Sequence, residues 1–165
     1  MALDTEHMVS GSSLPVPEVG QDAPAFALPN QYGELVESST MGSEAFFLVF
    51  YPFAFSAVCG SELEELQKVH SEFTAAGVRI LGISVDHKFA LRTYAEQIQC
   101  GFDLLADFWP HGDVAKRYGA FNLESGAATR NTFLIANERI LDSFSSPIHQ
   151  ARAITRYREA LELLK

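Results

Sequence analysis

The chain holds two cysteines, Cys59 and Cys100, and the first stands where a reactive thiol is most easily built. Around it runs FLVFYPFAFSAVCGSELEEL, residues 47–66. The apolar stretch 46–51 predicts a buried strand, Pro52 stops it, and from Cys59 onward Leu63 and Leu66 fall at helical spacing among polar residues. Cys59 is therefore expected on a strand-to-helix turn, in or beside the first helical turn. There the unpaired backbone N–H groups and the positive end of the helix dipole favour a thiolate. Position alone fits a buried, inert cysteine packed as a small hydrophobe equally well.

The neighbours of Cys59 add a pattern. Pro52, Ser56 and Cys59 stand as P-x-x-x-S-x-x-C, which resembles the P-x-x-x-T/S-x-x-C signature of peroxiredoxins, with Ser56 where threonine is more usual. Glu62 fits the acidic position that often follows the peroxidatic cysteine in that family, and Arg130, in TRNTFLI, fits its second arginine, just ahead of a strand. The runs DFWPHG from Asp107 and YGAF from Tyr118 resemble the one-cysteine, alkyl hydroperoxide reductase E type in particular. The likeness extends from about Val19 to the C-terminus. It implies an α/β, thioredoxin-like fold with an N-terminal β-hairpin extension and a central mixed sheet flanked by helices. It also implies a thiol-dependent peroxidase that needs no metal, haem, flavin or other cofactor. The substrate would be a small peroxide, namely hydrogen peroxide, an alkyl hydroperoxide or peroxynitrite. The reductant would be thioredoxin, a glutaredoxin-like protein or a low-molecular-weight thiol, and the assembly a homodimer.

The chemistry is attack of the Cys59 thiolate on the O–O bond, which leaves a sulfenic acid. A thiol of pKa about 8.5 is only about 3% ionised at pH 7, and one of about 6 is roughly 90% ionised, about a thirtyfold gain. Nucleophilicity falls with basicity, and a slope of about 0.4–0.5 takes back roughly tenfold. Groups that polarise the O–O bond must therefore supply the rest. Ser56, one helical turn before Cys59, offers a hydroxyl to the sulfur and the peroxide. Arg130 offers a forked cation that stays charged. Each also has a plainer role: Pro52 as a strand stop, Ser56 as a helix cap, and Arg130 as a surface arginine. Glu62 either orients Arg130 or joins Glu64 and Glu65 on a solvated face.

Cys100 follows Cys59 by 41 residues, at the expected C-terminal end of a helix over 87–99. A helix C-terminus disfavours a thiolate, and a disulfide needs Cα atoms within about 7 Å. Peroxiredoxins of the bacterioferritin-comigratory kind do resolve the sulfenic acid with a cysteine on this helix. The closer likeness to the one-cysteine type nevertheless implies that Cys100 is not an efficient resolving cysteine.

The whole chain bounds these ideas. Its 165 residues, 47% hydrophobic and 20% charged, suit one globular domain able to bury roughly two-thirds of its surface. A net charge of −9 argues against nucleic acid or an anionic membrane as partner. The longest apolar stretch, near 46–57, is too short to span a bilayer. Two cysteines without a C-x-x-C exclude a zinc knuckle, a thioredoxin-type dithiol and a secreted disulfide framework. The histidines lack ligand spacing, so no metal site is expected, and the N-terminus has no signal-peptide pattern, so a cytoplasmic location is.

Residues 1–18, rich in Ser, Gly and Pro, read as a flexible leader, and 19–165 as a single domain. Within that domain two short extended pieces, 25–28 and 35–37, flank a turn and predict the opening hairpin. Strands at 46–51 and 78–86, with the intervening helix, make a right-handed βαβ unit. A helix over 87–99, a strand at 102–105 and a short helix at 113–118 follow. Strands at 131–136 and 140–145, joined by residues 137–139, and an amphipathic helix over 150–164 complete the chain. Rival functions on this fold are a non-catalytic peroxide sensor, another thioredoxin-fold redox protein, and a binding module with an unreactive Cys59.

Overall fold

The computed structural model describes residues 14–165, so residues 1–13 of the expected leader lie outside the described residues. The unbroken apolar run forms β3 (Ala45–Phe50), with every residue buried. Such a strand must be covered on both faces, and it runs through the middle of the sheet. β4 (Val78–Ser84) and β5 (Asp103–Ala106) lie parallel to it on one side, and on the other β8 (Asn131–Ala136) runs antiparallel to β3 and β9 (Arg139–Ser145) antiparallel to β8, in the order β5-β4-β3-β8-β9. This is the mixed, thioredoxin-like sheet that was expected.

Alternation along β3 divides the core. Phe47 and Val49 face α1 (Ala57–Ala75), α2 (Lys88–Ile98) and α4 (Ile154–Leu161), where Leu63, Leu66, Phe73, Leu91 and Tyr157 meet them. Phe46, Leu48 and Phe50 face the other way, toward α3 (Asp113–Arg117) and the hairpin of β1 (Ala27–Pro29) with β2 (Leu35–Glu37). A 3-10 turn at Ser38–Thr40 and a small hairpin of β6 (Phe121–Asn122) with β7 (Ala127–Ala128) were not foreseen. α2 ends where Gln99 turns left-handed at φ 51°, so Cys100 lies just past the helix.

Two expected boundaries move for identifiable reasons. Asn137 and Glu138 both have positive φ, 51° and 61°, which makes a two-residue hairpin turn and returns Arg139 to β9. The last helix starts at Ile154 rather than at residue 150. The main chain ahead of it is committed elsewhere: the Arg152 N–H donates to Glu62 Oε2 at 2.9 Å, and the Gln150 carbonyl accepts from Ser146 Oγ at 2.5 Å.

Residues 14–18 carry no regular secondary structure and are mostly exposed, yet the main chain of 14–16 lies against Gly119. A Cβ at Gly119, whose φ is +61°, would meet the Leu14 carbonyl oxygen at 2.6 Å and the Val16 nitrogen at 2.7 Å. Backbone strain and a clash with backbone rather than with a flexible side chain both oppose Gly119→Ala, which should cost about 2–3 kcal/mol. Thermal unfolding should show a midpoint lowered by roughly 4–10 °C. An unchanged midpoint would mean that residues 14–16 do not rest on Gly119.

Candidate active site

α1 begins at Ala57 because Ser56, with extended backbone, caps it. Its Oγ accepts the Cys59 N–H at 3.3 Å. Cys59 thus lies in the first turn, and no part of it is exposed. The turn between β3 and α1 is pinned from β4: Asp86 Oδ2 accepts from the Ala54 N–H at 2.7 Å and from Ser84 Oγ at 2.8 Å. Pro52 is buried at its start, and Phe55 takes a left-handed φ of 66°, which costs a non-glycine residue about 1–3 kcal/mol.

Arg130 comes from the neighbouring strand. β8 runs antiparallel to β3 with Thr132 opposite Val49, so Arg130, two residues back along β8, falls level with the end of β3 where the Cys59 turn begins. Its guanidinium is buried and fully directed. Nη2 donates to Cys59 Sγ at 3.0 Å, and Nε donates to the Ile148 carbonyl at 2.8 Å. Nη1 stands 3.5 Å from Glu62 Oε2 and makes no hydrogen bond among the described residues. The plainer expectation of a surface arginine is therefore wrong, because the sheet register carries Arg130 into the core.

Glu62 is one helical turn past Cys59 on the same face of α1, and it too is buried, unlike its neighbours Glu64 and Glu65. A solvated face is thus ruled out for it. Its principal partner is Arg152, whose Nε donates to Oε1 at 2.6 Å, whose N–H donates to Oε2 at 2.9 Å, and whose Nη2 pairs with Oε1 at 2.5 Å. Two guanidinium groups share one carboxylate, which leaves one positive charge in a buried site that reaches Cys59 Sγ through Arg130 Nη2.

Cys59, Ser56, Pro52, Arg130 and Glu62 are thus gathered at the carboxyl end of β3. Arg152 was not anticipated. It lies in a stretch read as continuous helix, and its partner is 90 residues away in sequence. Phe108 and Trp109 are exposed, whereas Phe121 is buried.

A family model described as the AhpC/TSA family matches residues 19–144. Alkyl hydroperoxide reductase E of Mycobacterium tuberculosis is 39% identical over 124 residues, covering 74% of this chain and 81% of that protein. A putative peroxiredoxin, bcp, of Coxiella burnetii is 32% identical over 132 residues, covering 76% and 86%. Among solved structures, AhpC of Enterococcus faecalis superposes with a TM-score of 0.80 at 23% identity, covering 87% of this chain and 90% of that one. The peroxidoxin BcpB of M. tuberculosis gives 0.74 at 27% identity, covering 88% and 95%.

Cys100 shares no hydrogen bond with the residues of the Cys59 cluster among the described ones. It is half-buried, its Sγ donates to the Phe102 carbonyl at 3.4 Å, and both cysteines are free thiols. Burial pushes the Cys100 thiol up to about 12. A raised value keeps the proton on sulfur at every pH below it. At pH 8 the thiolate fraction is then about 10⁻⁴, against about a quarter for an ordinary thiol. Iodoacetamide should therefore alkylate Cys100 in the native protein about 10³-fold more slowly than a free peptide thiol, as followed by peptide mass spectrometry. Labelling at the peptide rate would show that Cys100 is neither buried nor protonated as described.

Proposed function

The chain belongs to the AhpC/TSA family and is a thiol-dependent peroxidase, and on that premise we propose that Cys59 is the sulfur that attacks the peroxide. The observation that carries this is Arg130 Nη2 at 3.0 Å from Cys59 Sγ, inside a buried cluster that bears one excess positive charge. The thiolate attacks one peroxide oxygen. An S–O bond forms as the O–O bond breaks, sulfur is oxidised by two electrons, and the departing group leaves as water or an alcohol once protonated, or as nitrite from peroxynitrite. The Arg130 guanidinium, whose Nη2 already reaches the sulfur, meets the charge that develops on the oxygens. Ser56 spends a lone pair on the Cys59 N–H and keeps its own hydrogen for the sulfur or the peroxide. Pro52, buried at the start of the turn, keeps water from the sulfur.

A thiol reductant then attacks the sulfenic sulfur and releases water, and a second thiol completes the reduction. Thioredoxin, a glutaredoxin-like protein and a low-molecular-weight thiol all meet this need, and Cys100, half-buried and protonated, is not the group that resolves the sulfenic acid. Hydrogen peroxide, alkyl hydroperoxides and peroxynitrite all present the O–O bond that the site requires. A homodimer is supported by exposed aromatics: the His87 ring contacts those of Phe89 at 5.0 Å and Phe108 at 4.8 Å, beside Trp109, which is 80% exposed. A cytoplasmic location is supported by a count of two cysteines, too few for a secreted disulfide framework.

Cys59→Ser should abolish peroxide consumption with the fold intact, because a serine alkoxide is inaccessible at neutral pH. Arg130→Ala should lower the second-order rate constant with hydrogen peroxide by about 10²–10³-fold, the scale of losing an oxyanion donor. Peroxide consumption by each purified variant with a thiol reductant measures both, and retained turnover in Cys59→Ser would sink the proposal.

A further inference from the structure

Beyond the arginines, two buried hydroxyls reach the same carboxylate. Thr132 follows Arg130 by two residues on β8, and Tyr157 lies on α4; neither has any exposed surface. Arg152 Nη1 donates to Thr132 Oγ1 at 2.9 Å, Thr132 Oγ1 is 3.2 Å from Tyr157 Oη, and Tyr157 Oη donates to Glu62 Oε1 at 3.4 Å. Arg152 Nε closes the ring on the same oxygen at 2.6 Å.

The hydrogens in this ring can be assigned. A guanidinium only donates, so Thr132 Oγ1 accepts from Arg152 and its single hydrogen is free for Tyr157 Oη. The phenol hydrogen then points to Glu62. Only this direction gives every hydrogen in the ring an acceptor. Burial pushes the Tyr157 hydroxyl up to about 12, so it keeps its proton at neutral pH and remains a donor. The Tyr157 ring cannot swing away, because Phe47 and Phe144 hold it edge-on at 5.4 Å and 4.9 Å. With Oε1 occupied by Arg152 and Tyr157, Oε2 faces Arg152 N–H and Arg130 Nη1.

We propose that Thr132 and Tyr157 are positioning residues for peroxide reduction: their hydroxyls relay donation one way from Arg152 to Glu62, closing a ring that fixes the Glu62 carboxylate, and through it the guanidinium of Arg130 against Cys59 Sγ. The proposal rests on Cys59 being the attacking sulfur. Opening the ring frees Arg152 to pivot about Glu62 and lets the carboxylate turn, so Arg130 loses its aim without losing its charge. Small misplacements of this kind cost up to about 10²-fold in rate.

The test uses Thr132→Val, which keeps the shape and removes the hydroxyl, Tyr157→Phe, which keeps the ring, and Thr132→Ser, which keeps the hydroxyl. Single-turnover consumption of hydrogen peroxide by the reduced full-length protein is measured across pH 6–9 together with thermal unfolding. Thr132→Val and Tyr157→Phe should each lower the rate constant about 5–20-fold at every pH, the double variant should be no slower than the slower single one, and Thr132→Ser should stay within about twofold of the parent. Parent-like rate constants in folded Thr132→Val and Tyr157→Phe, with only the melting temperature lowered, would overturn the proposal. If Thr132→Val does not fold, Tyr157→Phe decides alone. A parent protein whose peroxide consumption survives Cys59→Ser would overturn the underlying assignment of the sulfur instead.

Discussion

One buried carboxylate shared between two arginines sets the terms for everything around it. Glu62 is on α1, Arg130 on the edge of β8, and Arg152 in the segment ahead of α4, and all three are at most 5% exposed. Taking each ion out of water costs several kcal/mol, and mutual attraction repays that only when geometry is good and hydrogen bonds satisfy the remaining groups. Here the carboxylate accepts from main chain and side chain alike. Removing it would leave two buried guanidinium groups facing each other. The elements that carry the three residues are therefore tied together more tightly than apolar packing alone would tie them.

The same constraint explains the site. Three ions that sum to one positive charge cannot all be neutralised among themselves, and Arg130 Nη2 donates to Cys59 Sγ at 3.0 Å. A well-packed apolar replacement for such a cluster is often as stable or more so. The cluster is thus better explained by what it does to the sulfur than by what it adds to folding. It also accounts for a local irregularity. The segment ahead of α4 is not helical, and its Ile148 carbonyl and Arg152 N–H instead bond Arg130 and Glu62.

Much of this was legible in the chain. The apolar runs at β3 and β4 are too continuous for a half-exposed strand, which gives a doubly covered sheet, and Pro52 followed by Leu63 and Leu66 gives the turn into α1. Cys59 was marked by its place on the strand-to-helix turn, whereas Ser56 and Arg130 were singled out through the resemblance to the peroxiredoxin pattern. Glu62 was only half-legible. Its position, one turn from Cys59 and next to Leu63, put it on the buried face, but its charge and its neighbours Glu64 and Glu65 argued for solvent. Arg152, Thr132 and Tyr157 left no local signal, because their partner lies far away in sequence and no periodicity encodes a contact across the sheet. The start of α4 was missed for the same reason, since what unwinds residues 150–153 is a carboxylate on α1.

The central claim is that Glu62 acts on the peroxide reaction through Arg130. A double-mutant cycle on the second-order rate constant with hydrogen peroxide tests it most directly, using Glu62→Gln, Arg130→Ala and the pair. If Glu62 works by aiming Arg130, its replacement should slow the parent by about 10–10²-fold and add less than about twofold once Arg130 is gone. Losses that multiply in the pair would show that the two residues act independently, and would contradict the account.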